Sequence, residues 1–141
     1  MLLLSIHPRH VDSILSGTKR VELRRRKPRI ACGTALIYAT SPRKQLVASF
    51  QISSVVRAPL GLLWQSVREV AGVSRREFDT YFKGLQSGVA IRIADVTEFR
   101  MPIPLSELRV AMRGFNPPQG FCYLDSAETR ILNITELRRA A

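Results

Sequence analysis

The sequence has few of the residues that staple, chelate or anchor a chain. Only two cysteines, Cys32 and Cys122, occur in 141 residues, and they form no Cys-x-x-Cys pair. That excludes a disulfide framework and any zinc-finger spacing, and both read as small buried hydrophobes in a reducing cytoplasm. A Gly-rich phosphate loop is also missing, so no metal and no cofactor is expected. Long apolar runs are absent. Met1-Leu2-Leu3-Leu4 follows no basic stretch and stops at His7-Pro8, too short for a signal peptide or a membrane span, and no membrane partner is expected. Internal repeats and linkers are absent too, which points to one domain over residues 1–141. The remaining shortage is of negative charge: 11 Asp+Glu stand against 22 Lys+Arg, a net charge of +11.

What is present describes a folded domain. Apolar residues make up 45% and charged residues 23%, a balance that supports a packed core rather than disorder. The positive excess concentrates polyanions around the chain and speeds their capture. Nucleic acid leads as partner, ahead of an anionic membrane surface or an acidic protein.

Leu2 to Ile6 reads as a short buried strand. Pro8 suits the first turn of a helix in which Val11, Ile14 and Leu15 form an i, i+3, i+4 stripe, and Gly17 ends it in a left-handed cap. Val21 and Leu23 then alternate with Arg20, Glu22 and Arg24, the pattern of a half-buried strand. Strands over Thr34 to Ala39 and Gln45 to Val56 are joined by a turn at Ser41 to Lys44. Pro59 opens a second helix with Leu60, Leu63, Trp64 and Val67 on one face. Ser74 and Glu77 have capping-box spacing for a third, with Phe78, Tyr81 and Phe82 turned inward. Gly88 to Phe99 is a long strand interrupted by Pro102-Ile103-Pro104. A helical turn at Leu105 to Arg109, a loop at Asn116 to Gly120 and a strand at Phe121 to Leu124 follow. Residues 125–141 read as a basic amphipathic extension from a core of about 2–124. Short strands with inserted helices suggest a small α+β barrel.

Between Lys19 and Arg29 stand seven basic residues (Lys19, Arg20, Arg24, Arg25, Arg26, Lys27, Arg29) and one acid, Glu22. A solvated basic face is the bland reading of such a run. Its start directly after a helix cap fixes the first members, and Glu22 lies two residues from Arg24 on one strand face. Glu22 can accept from a base while Arg24 and Lys19 handle phosphate or a carbonyl oxygen. Lys19 shares that pocket only if it lies in the turn after Gly17 rather than in regular strand. Tyr38 and Ser41, at a strand end, are candidates for stacking on and hydrogen-bonding a base, with the barrel core as the alternative for Tyr38. Arg43 and Lys44 are candidate phosphate contacts. His7 and His10 read as helix-capping or surface residues, and Trp64, Phe78, Tyr81 and Phe82 as core.

Gly17-Thr18-Lys19-Arg20-Val21-Glu22-Leu23-Arg24 resembles the G-x-K-x-x-E-x-R signature of ASCH domains, whose fold is similar to the PUA domains of RNA-modifying enzymes. The Leu4 to Pro8 opening, the Ile14-Leu15-Ser16-Gly17 helix end and Pro117-Pro118-Gln119-Gly120-Phe121 resemble the family elsewhere, so the likeness spans about residues 2–124. It implies a PUA-like β-barrel of five to six strands with inserted helices and a nucleotide-recognition cleft beside the signature. Gln119 joins the candidate site on this ground. RNA or single-stranded nucleic acid, with DNA also open, is the implied partner, sometimes in a regulatory role in transcription or translation. Some relatives are enzymes. One removes acyl groups from N4-acetylcytidine with a Lys at the position of Lys19, a Thr where Glu22 stands, and a Glu near Ala71; two of those three positions differ here. Others resemble ribonucleases that depend on the signature Lys, where many carry a Ser in place of Gly120. The expectation is therefore an RNA-binding cleft. A hydrolase using Lys19 is the alternative, and an adaptor acting through the basic tail is a third reading.

Overall fold

Punctuation and alternation place most elements where the sequence puts them. The computed structural model describes residues 1–30 and 33–133; Cys32 and residues 134–141 of the C-terminal extension, Arg138-Arg139 among them, lie outside the described residues. The strands are β1 (Leu2–Ile6), β2 (Val21–Arg24), β3 (Gly33–Ala39), β4 (Gln45–Pro59), β5 (Ser87–Pro104) and β6 (Phe121–Tyr123). The helices are α1 (Pro8–Leu15), α2 (Leu60–Val67), α3 (Arg75–Tyr81), α4 (Leu105–Ala111) and α5 (Ser126–Ile131). Among the described residues no helix is long and apolar enough to cross a membrane.

All six strands join one sheet in the order β2-β5-β4-β3-β1-β6. Neighbours are antiparallel except β1 and β3, which run parallel across the α1 and β2 excursion. Register shifts near Ile37/Tyr38 and at three points between β4 and β5 bend the long strands, so the sheet curls into a half-barrel. The expected barrel is thus an α+β fold whose edges, β2 and β6, share no backbone ladder. Side chains span that gap instead, as described below.

Three apolar clusters hold the curl. Inside it, Leu2, Leu4 and Ile6 of β1 meet Ile37, Phe50, Val89 and Ile91, and α1 seals this cluster with Val11 and Ile14. Outside, Leu3, Leu36, Leu46 and Phe99 pack under α4 through Leu108, with Leu132 from the chain just after α5. The third cluster sets Val21, Leu23 and Ala90 against α2 and α3, with Phe78 edge-on to Phe82 at 4.7 Å and Trp64 at 5.1 Å from Phe78. Capping follows the expected chemistry: the Ser74 hydroxyl accepts from the Glu77 N–H, and Glu77 reaches back to the Ser74 N–H. Cys122 is a free, half-buried thiol against the outer cluster.

Three expectations fail for identifiable reasons. β5 does not stop at Pro102 but runs through Pro104, which pairs with Gln45. β2 covers β5 only from Val89 to Arg92, so beyond that point one side of β5 is an edge where a missing N–H breaks no ladder. Tyr38 is 2% exposed in the outer cluster with Leu36 and Phe99, so its ring has no open face for a base. Tyr81, expected in the core, stands at the end of α3 with 40% of its surface exposed.

Candidate nucleic-acid cleft

The gap between the two sheet edges is a cleft of about 850 Å³. α1 ends where its carbonyls need partners, and Gly17, at φ 84°, supplies the left-handed turn that lets its N–H reach the Ile14 carbonyl. The chain doubles back, and the Lys19 N–H bonds the Ser13 carbonyl at 3.0 Å before β2 begins at Val21. Lys19 is therefore in the turn, not in regular strand, and lines the same cleft as Glu22 and Arg24. In β2 the register sets Glu22 opposite Ile91 and Arg24 opposite Val89, on the inner face, while Val21 and Leu23 enter the third cluster.

These three charged residues are buried: Lys19 is 3%, Glu22 7% and Arg24 8% exposed. Arg24 clasps the gap. It donates to the Ser5 carbonyl of β1 at 2.9 Å, to the Gly120 carbonyl just before β6 at 3.1 Å, and to Glu22 Oε1 at 3.0 Å. A second tie lies further along. The Arg29 N–H donates to the Tyr123 hydroxyl at 2.8 Å, and the Arg29 guanidinium lies 4.5 Å over that ring. Lys19 Nζ donates to the Ala71 carbonyl at 2.5 Å. Its stem lies along Gly72, where an added Cβ would come within 3.1 Å of the Lys19 Cβ. Burial pushes the Lys19 ammonium below its ordinary pKa; Glu22 opposes that shift and Arg24 adds to it.

The walls are supplied by α1, α3 and the Gln119-Gly120-Phe121 segment. His7 caps α1 by accepting from the Arg9 N–H, as expected. His10 departs from its surface reading and lines the cleft, with its pKa lowered first by burial and then by Lys19. The Arg9 guanidinium lies 3.5 Å from His10 Nε2. On the far wall stand Arg76, Thr80 and Tyr81, with Arg25 donating to the Tyr81 carbonyl at 2.7 Å. The Tyr81 ring packs edge-on to Phe82 at 4.8 Å, and partial burial raises its phenol pKa.

Four buried side-chain polar atoms of this cleft have no hydrogen-bond partner among the described residues: Ser5 Oγ, His10 Nδ1, Glu22 Oε2 and Arg24 Nε. Buried polar groups are nearly always hydrogen-bonded, and four exceptions gather at this one cleft. No group of three or more His, Cys, Asp or Glu suited to a metal occurs among the described residues.

Of the residues proposed from sequence, the cleft gathers Lys19, Glu22, Arg24, Arg25, Arg26 and Gln119. It does not include Lys27, Arg29, Tyr38, Ser41, Arg43 or Lys44. Arg29 is occupied on Tyr123, and Arg43 pairs with Asp12 at 2.6 Å on the β3–β4 turn. Sequence reasoning missed His10, Arg76 and Tyr81. The Arg75-Arg76 pair at the start of α3 was the one signal for the far wall. At Ala71, the position of the amidohydrolase Glu, a buried methyl stands, and Glu69 is exposed and outside the cleft.

Comparison with known proteins agrees with this fold. The ASCH domain family model matches residues 4–102. An ASCH domain-containing ribonuclease of Zymomonas mobilis is 32% identical over 130 residues, covering 92% of this chain and 87% of that protein. The crystal structure of ASCH from Zymomonas mobilis superposes with a TM-score of 0.88 at 30% identity, over 94% of this chain and 93% of that one. The N-terminal domain of Staphylothermus marinus McrB shares the fold at a TM-score of 0.60 and 11% identity. Fold, signature residues and these matches together establish that the chain belongs to the ASCH domain family.

Proposed function

We propose that the cleft between β2 and β6 binds single-stranded RNA and takes one nucleotide onto its floor. The observation that carries this reading is the set of four polar atoms, unpartnered among the described residues, beneath a basic rim. Glu22 Oε2 only accepts, and a phosphate brings no hydrogen to donate and carries like charge. A base N–H or a ribose hydroxyl suits Glu22, with Arg24 donating to ring or carbonyl acceptors beside it. Phosphates belong higher up, on Arg25, Arg26 and Arg76, and the last two form no ion pair among the described residues. Tyr81 offers a ring for the neighbouring base. RNA-related activity in the family supports the polymer, and a regulatory use in transcription or translation is the setting that best fits a binding module.

Three phosphate contacts on a single strand give a slope of log affinity against log salt of about −2, at roughly 0.7 per contact. Fluorescence anisotropy with a short RNA measures it. Changing Arg26 and Arg76 to Gln together reduces the slope by about 1.4. Salt-independent binding, or an unchanged slope in that variant, refutes the rim assignment. Glu22→Gln shifts preference among the four homopolymers rather than lowering affinity for all alike.

A second reading, strand cleavage, is favoured by the relative named a ribonuclease and by Lys19 at the floor. Loss of RNA length during incubation, abolished by Lys19→Ala, selects that reading; retention of full-length RNA in the bound complex selects the module.

A further inference from the structure

The choice of cation at the cleft floor points to a chemistry that binding alone does not need. Of the chain's 22 basic residues, four are lysines: Lys19, Lys27, Lys44 and Lys83. Three of these are exposed, and the fourth is the buried Lys19. The other Lys or Arg side chains lining the cleft are all arginines: Arg24, Arg25, Arg26 and Arg76. A guanidinium keeps its proton under all ordinary conditions, whereas an amine gives its proton up when desolvated beside another cation. Both influences act on Lys19: burial lowers its pKa first, Glu22 opposes that shift, and Arg24 adds to it. The stem is fixed against Gly72, and among the described residues Nζ donates to the Ala71 carbonyl. The nitrogen is therefore held in place at the floor of a cleft that the preceding section assigns to a nucleic-acid strand.

We propose that Lys19 captures base-less sites in nucleic-acid strands by forming an imine with the ring-opened sugar aldehyde. The inference rests on the strand-binding reading of the cleft. An intact nucleotide presents no aldehyde, whereas a sugar that has lost its base opens to one at C1′. Without the base, the sugar can drop to the depth of Lys19 while the flanking phosphates stay on Arg25, Arg26 and Arg76. The Nζ lone pair attacks C1′, a C–N bond forms, and the carbonyl oxygen takes a proton to give a carbinolamine. Nitrogen then loses its remaining proton, the hydroxyl leaves as water, and C=N forms. One amine and one aldehyde give one imine and one water, with no oxidant or reductant. Glu22, the carboxylate that lines the same cleft, relays the proton from nitrogen to the departing hydroxyl.

The test uses the full chain with RNA and DNA oligonucleotides carrying one base-less site, each beside its intact counterpart, under sodium cyanoborohydride to fix the imine as a secondary amine. The expected result is one protein–strand adduct with the base-less strand alone, mapped by peptide mass spectrometry to Lys19. The RNA and DNA arms show which polymer is captured. A variant with Lys27, Lys44 and Lys83 all changed to Arg still forms the adduct, and Lys19→Arg reduces it to background. If Lys19→Arg fails to fold, the peptide map of the unaltered chain and the triple variant decide the matter. Intact strands that bind while base-less strands give no adduct, or an adduct mapped to another amine, overturn the inference and leave the binding reading standing. Failure to bind any strand overturns both.

Discussion

Removing Arg24 tests the clasp most directly. Its guanidinium makes three hydrogen bonds of 2.9 to 3.1 Å, two to carbonyls on the β1–β6 side and one to the Glu22 carboxylate. Arg24→Met keeps much of the apolar volume and deletes all three. Breaking a buried ion pair by removing one partner costs about 3–5 kcal/mol, mostly from the charge left behind. With a urea m-value of about 2 kcal/mol/M, the unfolding midpoint falls by roughly 1.5–2.5 M. Glu22→Leu alone leaves Arg24 its two carbonyl acceptors, so its loss is smaller. The double variant, with neither charge present, recovers most of what Arg24→Met loses. Urea denaturation followed by tryptophan fluorescence reads all three, since Trp64 lies in the third cluster beside Phe78. A cost below about 1 kcal/mol for Arg24→Met, or a double variant equal to the sum of the singles, refutes the argument that this pair closes the half-barrel.

Other outcomes follow from single positions. The His10 pKa is lowered from 6.5 in the folded chain, so between its folded value and 6.5 the unfolded chain binds more protons and stability rises with pH. Acid melts therefore lose stability as pH falls through that window, and His10→Gln flattens the loss; an unchanged profile contradicts the burial of the ring. Lys19 gives a slope of the same sign in a higher window that ends at 10.5, and Lys19→Met removes it in alkaline melts. Gly88→Ala places a Cβ 2.6 Å from Phe82 and 2.9 Å from Leu63, so it costs about 1–3 kcal/mol by overpacking. Gly120→Ser meets only Arg24 Nη1 at 3.9 Å and leaves the melting temperature within about 2 °C, as thermal denaturation can check. Tyr81→Ala weakens single-strand binding by about 1–3 kcal/mol with the fold intact, while Tyr81→Phe keeps most of the affinity; equal loss in both rules out stacking.

The elements that were legible in the sequence are those fixed by local rules. Gly17 at a helix end, Ser74 with Glu77, and the alternation of Val21 and Leu23 each determine their conformation within a few residues. The same local reading put Glu22 and Arg24 on one face, and it allowed Lys19 to join them from the turn. What was not legible depends on distant partners. Pro102 and Pro104 are tolerated because β2 stops covering β5 at Arg92, which no window around the prolines reveals. Tyr38 alternates like a strand-end residue, yet α4 covers its face of the sheet. Tyr81 follows the helical spacing of Phe78 and Phe82, but it sits on the last turn, where α3 reaches past the third cluster to the cleft. Arg29 and Arg43 belong to the right charge class and are already occupied elsewhere.

The Arg24 clasp grips main-chain oxygens at Ser5 and Gly120 rather than side chains. A small residue at either position presents the same carbonyl, so the seam does not depend on the Ser5 hydroxyl or on the absence of a side chain at Gly120. Position 120 has room for an added Cβ, with Arg24 Nη1 at 3.9 Å, and Ser5 can lose its hydroxyl to Ala, without loosening the joint between the sheet edges. Architecture and chemistry are thereby separable at this joint: the guanidinium holds it through main-chain oxygens, and the side chains that meet a guest are other ones.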